Sequence, residues 1–208
     1  MTGKFITIEG SEGAGKSTAI NYLRDNLKVN RKVVFTREPG GTPLAEKIRE
    51  VLLCPAEETV WPETELLLLY AARVQHWREK IQPALRQGAI VVCDRFTDAT
   101  LAYQGYGRGV DLARIRQLDT WALQGVQPDV TFYLDVPIEI GLERITNRAG
   151  GPDRFEREQR AFFEKVRAGY LSLAEQSAGR IQVIDATRPV HVVCEDLLLR
   201  MKQVLGDE

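Results

Sequence analysis

Phe5-Ile-Thr-Ile-Glu9-Gly10-Ser-Glu-Gly-Ala-Gly15-Lys16-Ser17-Thr18 is the stretch that decides the fold of this chain. A run of strand-forming residues, Phe5 to Glu9, leads directly into the pattern G-x-x-x-x-G-K-[ST], and a helical pattern begins at Lys16. Glycines at 10, 13 and 15 let the loop curl so that successive backbone N–H groups face a phosphate, and the helix start adds its partial positive charge. Lys16 is read as reaching the β and γ phosphates and the Ser17 hydroxyl as holding Mg²⁺. Gly10, Ser11, Glu12, Gly13, Ala14, Gly15, Lys16, Ser17 and Thr18 together form a nucleoside triphosphate cradle of the P-loop type.

Working outward, four further β-rich runs recur at wide intervals: Val33 to Thr36, Ala89 to Cys93, Val130 to Leu134 and Ile181 to Ile184. They are nearly continuous apolar runs, as expected of strands covered on both faces in a parallel sheet. Helical patterns separate them, over residues 16–29, 43–53, 62–87, 111–125, 137–148, 155–177 and 189–205. This alternation predicts an α/β three-layer domain with a five-stranded parallel sheet flanked by helices. The Gly/Pro cluster Arg148-Ala-Gly-Gly-Pro-Asp-Arg154 reads as a mobile surface loop rather than a linker, which leaves residues 1–208 as a single domain.

Composition narrows the function. A chain of 208 residues with 44% hydrophobic and 27% charged residues has the make-up of a globular protein. Its net charge of -1 excludes a general nucleic-acid or membrane-surface binder, so any anion site must be local. The longest apolar stretch, Leu66 to Ala72, is far short of the ~20 residues a membrane helix needs, and the chain is read as cytoplasmic. Cys54, Cys93 and Cys194 are odd in number and far apart, which fits reduced thiols rather than a disulfide framework.

The rest of the chain must say what happens to the triphosphate. No N-K-x-D guanine reader occurs. The third strand ends Cys93-Asp94-Arg95, where a motor ATPase would carry Asp-Glu, so a cation stands in place of the water-polarising acid. Asp94 can support the Mg²⁺ shell, and Arg95 can point a bidentate donor into the crevice at the strand ends; a structural ion pair between the two is the competing reading. Arg37-Glu38-Pro39-Gly40-Gly41-Thr42 follows the second strand and precedes a helix carrying Arg49. Tyr70 and Arg73, three apart, place an aromatic plane beside a donor that could stack on and hydrogen-bond a base; packing of Tyr70 in the core beside Leu66 to Leu69 is the competing reading.

The P-loop, Arg37-Glu-Pro-Gly-Gly-Thr42, Ala71-Ala-Arg73-Val-Gln-His76, Asp94-Arg95-Phe96, Ala102-Tyr-Gln104 and Asp153-Arg-Phe-Glu156, in this order, resemble bacterial thymidylate kinases over nearly the whole chain. The resemblance implies a P-loop kinase fold with a small lid, about residues 147–156, and a cytoplasmic homodimer that transfers the γ-phosphoryl group of ATP to dTMP, giving dTDP on the route to dTTP. It implies that Lys16 and Arg95 act in catalysis and that Ser17 and Asp94 hold Mg²⁺. Toward dTMP it implies Glu12 at the deoxyribose 3'-hydroxyl, Tyr70 stacked on thymine, Arg73, Thr100 and Gln104 at the base, and Arg49 and Arg95 at the acceptor phosphate beside Glu38 and Pro39. The segment Asp185 to Pro189 would border the adenine. Members of the family with an Arg inside the P-loop use it on the phosphates; this chain has Gly13 there, so it resembles the subgroup whose lid supplies the arginine, here Arg148 or Arg154. Where the family often has Ser, this chain has Ala99, and Thr100 is assigned that hydroxyl contact. The competing readings are another P-loop nucleotide or deoxynucleoside kinase, the latter needing a carboxylate base such as Glu9 or Glu38, and a nucleotide-binding module without phosphoryl transfer.

Overall fold

The computed structural model of the chain describes residues 3–54, 58–146, 154–155 and 158–206. The strands β1 (Lys4–Glu9), β2 (Val33–Arg37), β3 (Ile90–Asp94), β4 (Val130–Asp135) and β5 (Ile181–Asp185) form an all-parallel sheet in the order β2-β3-β1-β4-β5. All five coincide with the predicted runs to within a residue at each end. Their side chains alternate between two apolar layers, which is why the runs read as continuous rather than amphipathic. Phe5, Val91, Cys93, Tyr133 and Ile181 enter one core; Ile6, Ile8, Ile90, Val92, Phe132, Leu134 and Ile184 enter the other. Ile6, Ile8, Ile90 and Phe132 are completely buried, each contributing roughly 1.5–3 kcal/mol by the area it removes from water.

The helices are α1 (Lys16–Asn26), α2 (Pro43–Leu53), α3 (Pro62–His76), α4 (Gln82–Arg86), α5 (Thr97–Thr100), α6 (Leu112–Leu123), α7 (Ile138–Thr146), α8 (Arg160–Gln176) and α9 (Val190–Leu205). Local chemistry sets several starts. Thr42 caps α2 by accepting from the Ala45 N–H with Pro43 at the first position, and Asp111 caps α6 through the Ala113 N–H. The start of α1 differs: Gly15 precedes it in the left-handed region (φ 89°) with no side-chain cap, so its first N–H groups remain available to an anion.

Besides α8, which starts at Arg160 where the sequence reading begins the helix at Phe155, two helical features depart from that reading. The expected single helix over 62–87 contains a π-helical turn, Trp77–Ile81, between α3 and α4. Pro83 explains it, because its ring crowds the carbonyl four residues back and it has no N–H to donate, so the backbone widens there and the Gln82 N–H bonds to the Trp77 carbonyl. The second is the segment α5 with the π-helical stretch Leu101–Gly107, which the sequence reading left without regular structure. Its two glycines give poor helix propensity, but they allow close packing: a Cβ on Gly107 would lie 2.6 Å from the Phe162 ring on α8, and one on Gly105 would lie 2.4 Å from Leu112.

Candidate functional site

β1 lies between β3 and β4, so the loop leaving its carboxyl end faces the crevice where ligands bind in open parallel sheets. A cleft of about 450 Å³ opens there, lined by Glu12 to Thr18, Arg37, Glu38, Pro39, Arg49, Leu53, Leu69, Arg73, Asp94, Arg95, Ala99, Thr100, Tyr103, Gln104, Arg144 and Phe155. Most of the side chains singled out in the sequence are thus brought to one cavity by α1, α2, α3, β3, α5, the Leu101–Gly107 stretch and the adjoining loops.

At one end the P-loop curls through Gly13 (φ 72°) and Gly15 (φ 89°). The Lys16 ammonium bridges the loop from inside, donating to the Gly10 carbonyl at 2.8 Å and the Ser11 carbonyl at 3.2 Å. Burial, with the nearby Arg95 guanidinium adding to it, pulls its pKa below the ordinary lysine value. The Oδ1 of Asp94 is buried with no hydrogen-bond partner among the described residues, and Ser17 and Asp94 both line the cleft. A hydroxyl and an unsatisfied carboxylate oxygen are hard donors suited to a Mg²⁺ that takes its remaining ligands from phosphate and water, so this pair fits the metal. No cluster of three or more His, Cys, Asp or Glu among the described residues forms an all-protein metal site.

Arg95 follows β3 with φ 68°, a left-handed conformation that a non-glycine residue holds only where its surroundings enforce it. Its N–H donates to the Ile8 carbonyl at 3.1 Å. Its guanidinium lies 4.8 Å from the Tyr103 ring centroid and donates to Glu12 Oε1 at 2.8 Å and to the Tyr170 hydroxyl at 3.4 Å. Glu12 also accepts from the Tyr103 hydroxyl at 2.5 Å. The carboxylate expected at a sugar hydroxyl is therefore tied to the arginine expected at the acceptor phosphate.

Behind them sits Glu9, completely buried at the end of β1, which accepts from the Phe96 N–H and from the Tyr170 hydroxyl, each at 2.7 Å. Burial raises its pKa from an ordinary 4.5 to about 7, with the Asp98 charge adding to the rise and Arg95 opposing it. Because the folded state holds this proton more tightly than the unfolded chain, the associated stability is fully present below about pH 4.5 and is lost as pH rises through 7. The urea midpoint is expected to fall between about pH 5 and 8 and to fall less in Glu9→Gln. Equal pH slopes in the two proteins would contradict this.

Glu38, also buried, accepts from Arg73 Nε at 2.6 Å and pairs with His76 Nδ1 at 3.0 Å, while His76 Nε2 meets the Thr36 hydroxyl at 2.7 Å. Arg73 Nη2 donates to the Phe96 carbonyl at 3.0 Å, and its Nη1 is buried without a partner among the described residues. The Thr100 hydroxyl is likewise buried and unpartnered. Arg49 Nη1 donates to the Pro39 carbonyl at 2.8 Å, which holds both at the cleft wall.

Tyr70 does not line the cleft. Its ring is buried, its hydroxyl donates to Asp119 at 2.6 Å, and Arg73 lies 5.0 Å from its ring centroid. The residue that shares the cleft with Arg73 is Leu69, four positions earlier. The i,i+4 spacing, as available to the sequence as the i,i+3 one, is the signal that finds it.

Arg154 reaches Glu65 at 2.7 Å through Nη1 and the Leu52 carbonyl at 2.7 Å through Nε, so it meets α3 and the end of α2 rather than the P-loop. Arg148 and most of the expected lid, residues 147–153 and 156, lie outside the described residues. Phe155 is described: it lines the cleft and meets the Tyr103 ring edge-on at 6.2 Å.

Arg144 was missed by sequence reasoning. From α7 it donates to the Gly13 carbonyl and to the Ala186 carbonyl, both at 3.2 Å, bracing the P-loop against the segment that follows β5. No local motif announces it; only the pairing of β1 with β4 brings α7 there.

A sequence model of the family described as thymidylate kinase matches residues 8–197. The chain is 56% identical over 191 residues to a thymidylate kinase of Pseudomonas fluorescens (strain SBW25), covering 91% of this chain and 90% of the relative. It is also 56% identical over 205 residues to one of Methylococcus capsulatus (strain ATCC 33009 / NCIMB 11132 / Bath), covering 98% and 97%, and 52% identical over 198 residues to one of Ectopseudomonas mendocina (strain ymp), covering 95% and 94%.

Proposed function

The chain belongs to the thymidylate kinase family and is an ATP-dependent dTMP kinase, and from that premise we propose how its residues divide the transfer that yields dTDP and ADP. One observation carries the assignment: Lys16 of the P-loop and three arginines, Arg49, Arg73 and Arg95, line the same cleft. Such a cavity suits two phosphorylated substrates held end to end. The loop from Gly10 to Thr18 and the uncapped start of α1 hold ATP, with Lys16 at the β and γ phosphates. Ser17 and Asp94 would hold Mg²⁺, which when bound neutralises charge on the phosphate oxygens. Arg49 and Arg95 hold the acceptor phosphate beside Glu38 and Pro39; Glu12 faces the sugar, and Leu69, Arg73, Thr100 and Gln104 surround the base, with Tyr70 supporting Arg73 from behind.

The acceptor phosphate, with a second pKa of about 6, is already largely a dianion at neutral pH and needs no general base. This accords with the state of the two carboxylates a deoxynucleoside kinase could recruit: Glu9 is occupied by Phe96 and Tyr170, and Glu38 by Arg73 and His76. Catalysis then rests on alignment and on charge neutralisation at the two facing polyanions. We place the lid at about residues 147–156 of a single domain, 1–208. Arg148 or Arg154 supplies charge to the transferred phosphoryl group; in the structure Arg154 is held on Glu65. We also propose a cytoplasmic homodimer that binds neither nucleic acid nor membrane; no described helix is long and apolar enough to cross a membrane, and the net charge is -1.

The test is Mg²⁺-dependent ADP formation with dTMP, dUMP, dCMP, dGMP or AMP and with an acceptor-free control. The expected result is acceleration by dTMP with dTDP as product. Arg95→Ala is expected to lower kcat/KM for dTMP by about 10²-fold while ATP affinity changes little. Equal loss toward ATP and dTMP would move Arg95 off the acceptor, and turnover indifferent to every monophosphate would remove the kinase reading.

A further inference from the structure

Glu65, in the first turn of α3, is completely buried, and the transfer described above uses it only to hold Arg154. Its Oε1 accepts from Gln104 Nε2 at 2.7 Å and from Arg108 Nε at 3.3 Å; its Oε2 accepts from Arg154 Nη1 at 2.7 Å and from Arg108 Nη2 at 3.2 Å. A carboxylate set between two guanidiniums offers only acceptors. A side-chain amide meeting it must present its NH₂ group, so the orientation of Gln104, otherwise free to turn over, is decided by Glu65, and the Gln104 Oε1 is the atom left for the cleft that this residue lines.

The same cleft contains Arg73 Nη1, a buried donor without a partner among the described residues. The wall thus offers one committed donor and one committed acceptor. Thymine and uracil carry the complement on one edge, a carbonyl acceptor (O4) beside an imide donor (N3–H). Cytosine carries the reverse, an amine donor beside a ring-nitrogen acceptor, and would leave buried polar groups unpaired on both sides.

We infer that Glu65 is a specificity-determining residue, which by fixing the amide orientation of Gln104 makes the cleft select the imide edge of thymine or uracil against cytosine. This rests on the reading of the cleft that puts the base beside Arg73 and Gln104. Glu65 acts through Gln104 and touches no substrate, so it is a positioning residue.

The test is kcat/KM for dTMP, dUMP and dCMP with the wild-type enzyme and Glu65→Gln. A glutamine at position 65 can donate as well as accept, so Gln104 is released to turn over. The preference for dTMP over dCMP is expected to fall about tenfold or more, and the preference for dUMP over dCMP to fall in parallel, since both favoured bases share the edge. A role only in supporting the fold would lower all three together and leave the preference intact, which would overturn the inference. A wild-type enzyme that does not favour dTMP over dCMP would instead overturn the underlying reading of the cleft. Should Glu65→Gln fail to fold, the wild-type protein answers by NMR: the ¹⁵N side-chain signal of Gln104 is expected to hold its position when dTMP binds, because its NH₂ stays on Glu65. A large shift of that signal, marking an amide turned to present nitrogen to the base, would overturn the inference.

Discussion

Replacement of Lys16 by Met is expected to lower kcat by about 10³-fold while the protein remains folded. Met keeps the length and the apolar stem and removes only the ammonium. That ammonium is held in the loop by the Gly10 and Ser11 carbonyls, at 2.8 and 3.2 Å, so it is positioned before any nucleotide arrives. A charge fixed in advance in a site shielded from water stabilises developing negative charge far more than a solvated one, and removing one such group costs roughly 10² to 10³ in turnover. The contact proposed for it with the β and γ phosphates would place Lys16 at the upper end of that range. Burial of the ammonium, with the Arg95 guanidinium adding to it, also holds its pKa below the ordinary lysine value. The check is single-turnover kinetics at saturating ATP and dTMP with circular dichroism as the folding control. A folded variant within tenfold of wild type would refute the assignment.

Gly13 carries the second large effect, on stability. It has φ 72°, and a Cβ built there would lie 2.1 Å from the carbonyl oxygen of Gly141 on α7, a backbone atom that no rotamer change can move away. The approach is mutual, since a Cβ on Gly141 would lie 2.7 Å from the Glu12 carbonyl oxygen. Gly13→Ala is expected to lose at least about 3 kcal/mol, combining a left-handed alanine with displacement of α7 from the P-loop. For a chain of this size that is a fall in Tm of about 6–12 °C, measured by thermal unfolding without nucleotide. Gly13→Arg should be no better tolerated. A P-loop arginine is thus excluded by packing as well as missing from the sequence, and a Tm unchanged in both variants would show that α7 can retreat at no cost.

How far the site could be read from the chain differs from residue to residue. Lys16, Ser17 and the glycines of the P-loop were legible because their chemistry depends on local spacing: the strand, the turn and the helix start are contiguous, and a phosphate cradle is made of backbone. Asp94 and Arg95 were legible for the same reason, as the last residue of a strand and the first beyond it. Tyr70 shows the limit. Periodicity showed a helix over Pro62 to His76, but not the rotation of that helix about its axis, and a turn of one residue sends Tyr70 to Asp119 and gives Leu69 the cleft. Arg144 and Glu65 were not legible at all, since their partners lie on elements far away in the chain: Gly13 and Ala186 for one, Gln104, Arg108 and Arg154 for the other.

The amino-acid sequence by itself determined the five parallel strands, the P-loop between the first strand and first helix, the family, and the kinase reaction, because each is written in contiguous residues whose local propensities and chemistry agree. Tertiary structure alone decided the phase of α3 toward the cleft, the ties of Glu12 to Arg95 and of Glu65 to Gln104, and the closeness of α7 that reserves position 13 for glycine. Those depend on which buried groups meet across the sheet. A buried carboxylate or guanidinium must find a partner in three dimensions, and no interval along the chain specifies which one it finds.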